Sequence, residues 1–294
     1  MSALSLQILA ILAPGFFLAL IGLAWQRCGP AFPLDFVTTL VLNLSLPALL
    51  FHTLATATVP LGSIGTLALA ALVVHLALGA VAVLALHAAR RDWRLAVAHA
   101  VGNTGNLGLP VCLLAFGEEG LAYAMAFFAV QCLLMFTLGE AIYAGSTSLS
   151  RALRSPILHA IWLGVLARVL ELPIPPVALE TLSLLGQIVI PLMLITLGVS
   201  LAGMRARSLV SSLLQSAVRT VLAVSIGFGV AALFSLEGVA RGVLIIETAV
   251  PVAVFNFLLA ERHGRDSAEV AGLILVTHVG AVFYLPLLLG VLLV

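Results

Sequence analysis

Two long hydrophobic stretches of the sequence each contain a small group of polar side chains suited to binding ions. The first group is Asn103, Thr104 and Asn106, and the second is Glu247 with Thr248. Amide and hydroxyl groups can donate hydrogen bonds to an anion or supply oxygen atoms to a cation. A carboxyl group inside an apolar segment is costly to bury and is a functional candidate by default. The pattern indicates binding of ions or small solutes in apolar surroundings.

Each polar group stands beside a proline, and the prolines repeat at a nearly fixed spacing. Pro110 and Pro251 lie 141 residues apart, and a second pair, Asn43 to Pro47 and Gln187 to Pro191, recurs at 144. Two pairs at almost one offset predict two copies of a five-segment plan. Unwound backbone inside a membrane is tolerated only where protein or a wet cavity satisfies its polar groups. The alternative is that these prolines merely kink their helices.

Long apolar helices are predicted to carry these polar groups. The chain has 294 residues, of which 63% are hydrophobic and 9% charged, and its mean hydropathy is +1.25. A helix of about 20 residues spans the hydrocarbon core of a bilayer. The sequence predicts ten such spans, which consume nearly the whole chain. They are 4–25, 35–55, 62–87, 95–115, 120–144, 156–172, 178–202, 209–234, 239–260 and 267–293.

The arginines predict how these spans are oriented. All 13 basic residues are Arg. The loops after odd-numbered spans hold Arg27, Arg90, Arg91, Arg94, Arg151, Arg154, Arg205, Arg207, Arg262 and Arg265. The opposite side holds only Arg168 and Arg241. Because basic loops stay in the cytoplasm, this bias places both termini outside it, with an uncleaved first span. Residues 1–147 and 148–294 are then inverted repeats within one membrane domain.

Glu247 is the predicted coupling residue. It precedes Pro251 by one turn, and Asn106 holds the equivalent position in the first repeat. The predicted coupling-ion group is Glu247, Asn106, Thr248 and Arg219, and it would carry a proton or a sodium ion. The alternative is a packing role for Glu247, paired with Arg219. The three cysteines have no metal-like spacing, and no cofactor is predicted.

Four motifs, in this order along the chain, resemble those of the auxin efflux carrier family, which includes plant PIN carriers and bacterial carriers of malonate or malate. The motifs are Leu46–Ala55 with His52, Asn103-Thr104 with Gly108 and Pro110, Ala249-Val-Pro251, and Ala260–Gly264. The resemblance extends over residues 8–290. Plant members often carry Gln at the position of Glu247 and a second proline at that of Asn256.

The resemblance implies a fold similar to that of the bile-acid sodium symporters, in which broken helices 4 and 9 cross near the membrane midplane. Spans 1, 2, 6 and 7 would form a scaffold and a homodimer surface, and spans 3–5 and 8–10 a moving core. Two half-helix starts, which attract anions, would then converge. The predicted substrate-binding residues are Asn103, Thr104, Gly105, Asn106, Pro110, Pro251, Asn256, Asn43, His52 and Gln131.

These features predict a secondary transporter of the cytoplasmic membrane that moves a small carboxylate by alternating access. A sodium-coupled symporter of a bile-acid-like solute is the nearest alternative, and a channel is another. The sequence contains neither the G-x-S-x-G nor the H-E-x-x-H motif of hydrolytic enzymes, so an enzyme is not predicted. It also contains no basic patch suited to nucleic acid.

Overall fold

The computed structural model describes residues 3–144, 155–204 and 208–293. The predicted repeat boundary at 147/148, both chain ends and Arg151, Arg154, Arg205 and Arg207 lie outside them. The described residues form helices and contain no strand. The helices are α1 (Ala3–Cys28), α2 (Leu34–Leu40), α3 (Leu46–Thr56), α4 (Leu61–Ala88), α5 (Ala96–Ala100), α6 (Leu109–Leu134), α7 (Glu140–Ala144), α8 (Pro156–Val169), α9 (Pro176–Gln187), α10 (Val189–Gly203), α11 (Leu209–Leu233), α12 (Gly238–Ala249), α13 (Phe255–Arg262) and α14 (Ser267–Leu292).

Six helical stretches in the described part of the chain are long and apolar enough to cross a membrane. They are Leu34–Thr56, Leu61–Ala88, Thr104–Ala144, Pro176–Gly203, Leu209–Leu233 and Ser267–Leu292. Two shorter apolar helices are Leu12–Cys28 and Pro156–Val169. The remaining apolar segments, which contain α5, α12 and α13, are short because the backbone interrupts them.

The stretch Thr104–Ala144 is two helices in succession. Its 41 residues would extend for about 60 Å at 1.5 Å per residue, twice the thickness of the hydrocarbon core. Gly117 divides it, with φ 65° and ψ −156°. This left-handed conformation is open to glycine and disfavoured for residues with a Cβ. The chain therefore turns at Gly117, between the fourth and fifth predicted spans.

Departures from regular α-helix accompany all four of the paired prolines. Two π-helical turns, which are wider than α-helical ones, come just before Pro47 and Pro110. They are Val41–Ser45 and Thr104–Gly108. A proline ring clashes with the carbonyl four residues earlier, and a wider turn relieves that clash. In the second half, α9 ends at Gln187 and α10 begins at Val189, just before Pro191.

The break at Pro251 is the more abrupt. Val250 is extended, with φ −51° and ψ 151°, because proline disfavours helical geometry in the residue before it. The helix resumes at Phe255 as α13. The matching break in the first half runs from Val101 to Asn103, and Val101 is also extended, with φ −98° and ψ 105°.

The helices pack as two groups. In the first, α1 packs along α10, and α3 packs against α8 and α9. In the second, α4, α6, α11, α12 and α14 pack on one another. The backbones of α1 and α10 touch directly, because a Cβ on Gly198 would overlap the carbonyl of Ala19, and one on Gly22 that of Ile195. Such close approach by small residues is a common packing mode between membrane helices.

Candidate functional site

The two helix breaks lie against each other. Gly102 and Val252 form an isolated antiparallel bridge. The backbone N–H of Asn103 donates to the carbonyl of Pro251 at 2.6 Å, and that of Ala253 donates to Val101 at 3.1 Å. The breaks thus satisfy part of each other's backbone, as buried polar groups in an apolar setting require.

A cavity of about 470 Å³ lies beside the paired breaks. Its lining includes Asn103, Gly105 and Asn106, and also Val254 and Phe255. These residues are at the start of the helical turn that leads into α6 and at the start of α13. The first amides of a helix have no acceptor within that helix, and its N-terminus carries partial positive charge. Two such termini therefore border one cavity.

The rest of the cavity wall is mainly apolar. Phe128, Phe136 and Met193 line it, and the Phe136 ring packs edge-on against Phe255 at a centroid distance of 6.0 Å. Among the described residues that line the cavity, Asp35 is the one with a charged side chain, and it lies exposed in the first turn of α2. The described wall thus offers neutral donors and apolar surface, and it contains no arginine.

Gln131 is fixed in this wall by the hydrogen bonds that its amide nitrogen donates. Its Nε2 donates to the carbonyl of Gly102 at 2.9 Å and to the Thr104 hydroxyl at 2.6 Å. Its Oε1 lies 3.2 Å from Nε2 of His75. The other ring nitrogen of His75 contacts the carbonyl of Ala71 at 2.7 Å. His75 and Gln131 thus connect α4 to the first break through α6.

Asn103 is oriented by a histidine of the last helix. Its Nδ2 lies 2.9 Å from Nε2 of His278, whose Nδ1 lies 2.8 Å from the carbonyl of Ile274. Because a carbonyl only accepts, Nδ1 carries the ring proton and Nε2 accepts from Asn103. The neighbouring Thr277 accepts from the backbone N–H of Val252 at 3.2 Å. Helix α14 therefore holds both breaks.

The C-terminal ends of the interrupted helices face away from these donors and towards Arg219 of α11. Nη1 of Arg219 donates to the carbonyl of Val250 at 2.5 Å, and Nε donates to that of His99 at 3.3 Å. Tyr284 donates to the carbonyl of Ala249 at 2.8 Å. Arg219 is 3% exposed and lines a second cavity, of about 280 Å³, between α4 and α11.

Glu247 lies between α12 and α6 and lines neither cavity. It is 1% exposed, and its Oε1 accepts from the thiol of Cys112 at 3.6 Å. Its Oε2 has no hydrogen-bond partner in the part of the chain that the structure describes. The missing side chain of Gly108 makes room for it, since a Cβ there would overlap the carboxyl group. In the described residues Arg219 forms no ion pair with it.

The structure brings four predicted binding residues to the cavity, namely Asn103, Gly105, Asn106 and Gln131. The other predicted residues lie elsewhere. Asn256 donates to the carbonyl of Val101 at 3.1 Å, Thr248 donates to that of Leu244, and Asn43 is exposed and donates to that of Thr39. Pro110, Pro251 and His52 do not line the cavity, and Thr104 binds Gln131 behind its wall.

The sequence did not predict several residues that contribute to the site. The aromatic lining of Phe128, Phe136 and Phe255 and the support from Thr277 and Tyr284 have no local sequence signal, because these residues are ordinary members of apolar helices. Within the residues that the structure describes, no His, Cys, Asp or Glu side chains group as metal ligands, and Cys28, Cys112 and Cys132 are free thiols.

Comparison with known proteins identifies the family of the chain. A family model described as a membrane transport protein matches residues 6–148 and 143–289. An uncharacterized transporter of Methanothermobacter thermautotrophicus is 29% identical over an alignment of 296 positions, which covers 96% of this chain and 95% of the relative. An uncharacterized transporter of Methanocaldococcus jannaschii is 28% identical over 191 residues, 60% of this chain and 61% of that protein. The resemblance found in the sequence motifs is confirmed, and the chain is an integral membrane protein that belongs to the membrane transport protein family of auxin efflux carriers.

Proposed function

We propose that this protein is a secondary transporter that binds a small organic anion in the 470 Å³ cavity and carries it across the membrane by alternating access. The observation that carries the proposal is the convergence of two helix N-termini on that cavity. Helix N-termini attract anions through their unbonded N–H groups and partial positive charge. Interrupted helices in matching halves of a chain are also the usual location of a transporter's substrate site.

The polar lining suits a carboxylate. Asn103 and Asn106 offer amide donors, and the first amides after the break add backbone N–H groups. Such neutral donors stabilise a carboxylate without burying a fixed positive charge, so the substrate can leave again. The phenylalanines and Met193 suit an apolar body attached to the carboxylate, and the volume lies in the range typical of small-molecule sites, about 300–1,000 Å³.

The position of the cavity supports alternating access. One wall comes from α2, α8 and α10 through Val37, Ile157 and Met193, and the other comes from the paired breaks and α6. These walls belong to the two packing groups of the fold. We propose that α1–α3 with α8–α10 form the scaffold, that the remaining helices form the core, and that broken helices 4 and 9 of two inverted five-helix repeats cross at the breaks. Motion of the core against the scaffold would open the cavity to either side.

We propose a proton as the coupling ion, carried by Glu247. A sodium site needs several oxygen ligands. Among the described residues the hydrogen-bond partner of Glu247 is the Cys112 thiol, and the hydroxyls of Thr104 and Thr248 bind other partners. An ionised carboxylate with an unpartnered oxygen in this setting is costly, and protonation removes that cost.

By the family resemblance, we further propose a homodimer formed through the scaffold in the cytoplasmic membrane.

A thermal-unfolding screen of the purified protein with organic acids, at several pH values and with sodium or potassium, tests the proposal. A ligand that binds the folded state raises the unfolding temperature. Any acid that stabilises the protein is then followed as a radiolabelled solute into liposomes. Saturable, counterflow-competent uptake is expected. Uptake that never saturates would indicate a channel, and conversion of the solute without movement would indicate an enzyme.

A further inference from the structure

The C-terminal ends of both interrupted helices are directed at one place. Helix α5 ends at Ala100 and α12 at Ala249, and the carbonyls of His99 and Val250 approach the same side chain, Arg219. The last carbonyls of a helix lack partners within it and carry partial negative charge. In transporters with discontinuous helices, such ends and unwound carbonyls coordinate the coupling cation. The place has the electrostatics of a cation site.

Arg219 occupies this place with a guanidinium group that lacks an ion-pair partner among the described residues. Two of its nitrogens bind the two carbonyls, and the third, Nη2, has no acceptor within residues 3–144, 155–204 and 208–293. Nη2 would lie 3.4 Å from a Cβ on Gly102, so the break itself leaves room for the group. A buried guanidinium with no carboxylate is stabilised here by backbone carbonyls and by helix dipoles.

We propose that Arg219 is a tethered cation that holds the position a mobile metal ion would take between the two helix ends. The proposal rests on the proposed transport function and states which charge balances the two helix ends. Because this cation is covalently attached, the paired breaks stay assembled in the absence of sodium. Sodium does not bind these carbonyls during the transport cycle. Removal of the side chain would leave an empty site with affinity for small cations.

The test measures thermal unfolding of purified protein in detergent without any substrate. Arg219→Ala should unfold at a lower temperature than wild type, and guanidinium chloride at millimolar concentration should restore several degrees in a saturable manner. Choline chloride at the same ionic strength serves as the control, because the quaternary ammonium of choline has no N–H to donate to the carbonyls. Sodium chloride tests whether the vacated site accepts a metal ion. The wild type should show no saturable response to any of the three salts.

Two further variants separate charge from packing. Arg219→Lys keeps a tethered cation and should lose less stability than Arg219→Met, which keeps the aliphatic length without the charge. Arg219→Met should respond to guanidinium even if Arg219→Ala fails to fold. The proposal is overturned if Arg219→Met is as stable as wild type, if guanidinium and choline act alike on both uncharged variants, or if sodium stabilises the wild type saturably. Each readout is independent of substrate, so these failures would leave the anion-carrier proposal standing.

Discussion

Glu247 and Arg219, 28 positions apart, are both buried near the break at Pro251 but contact different groups. Arg219 binds the carbonyls at the end of the broken helix, whereas Glu247 sits one turn earlier against Cys112 and Gly108. Among the described residues the two side chains form no ion pair with each other. Because an ionisable group inside a membrane domain is costly, each is a candidate for a functional role.

Replacing Glu247 by Gln should remove the pH dependence of transport while leaving substrate binding largely intact. The amide fits the space of the carboxyl but cannot exchange a proton. Purified wild type and variant are compared in liposomes under imposed pH and sodium gradients. Identical responses of both proteins to both gradients would make Glu247 a packing residue. Loss of sodium dependence would instead identify it as a sodium ligand.

Substitution of Asn103 or Asn106 by Ala should weaken binding of the anion. Loss of a hydrogen bond to a buried charged group costs roughly 1–3 kcal/mol, which corresponds to about 5- to 150-fold in affinity. Asn43→Ala is the matched control, because Asn43 is exposed and its amide donates to its own helix. Affinities come from titrations of the stabilising acid. Wild-type affinity in both cavity variants would exclude this cavity as the binding site.

At the level of the helices, the two breaks are held by hydrogen bonds to each other and to α14. Asn103 and Ala253 donate across the pair, and α14 supports both sides through Thr277 and His278. Gly102 stands at the closest point, where a Cβ would lie 2.8 Å from Val250 Cγ2. Small residues at such a point allow two backbones to approach.

Gly102→Ala should therefore destabilise the protein by about 1–3 kcal/mol, the usual effect of overpacking a buried site. Gly65→Ala in α4 is the control, since a Cβ there meets no atom within 4 Å. Alanine favours helix over glycine, so the control should be neutral or stabilising by up to about 1 kcal/mol. Unfolding temperatures of the two variants give the comparison. An equal effect of both substitutions would contradict the close approach of the breaks.

At the scale of the whole molecule, charged residues from distant segments meet at one face. Arg91 forms an ion pair with Glu269 at the start of α14 and donates to Ser211 at the start of α11. Arg265 donates to the carbonyl of Tyr143 at the end of α7. The end of the fifth predicted span and the start of the eighth thus lie next to the loops after the third and ninth spans. The arginine bias predicts that this side faces the cytoplasm.

Both termini should accordingly lie outside the cytoplasm. Single cysteines at Ser2 and Ser148, introduced after removal of the three native cysteines, should react with a membrane-impermeant reagent from opposite sides. Cys28, exposed at the end of α1, should react from the cytoplasmic side in the parent protein. Labelling of both engineered positions from one side would disprove the inverted-repeat topology.

The sequence alone determined the apolar class, the family and the location of the two breaks, because hydropathy and proline act through local backbone chemistry. It also singled out Asn103, Asn106 and Gln131, whose polar side chains are conspicuous in apolar segments. The packing of the helices sets which ends of the broken helices face the cavity and which face Arg219. It also separates Glu247 from the cavity and gives it a contact with the Cys112 thiol, without the ion pair to Arg219 that the alternative packing role implied. These outcomes depend on how α6, α11, α12 and α14 pack, and contacts between side chains more than a hundred residues apart leave no local trace in a sequence.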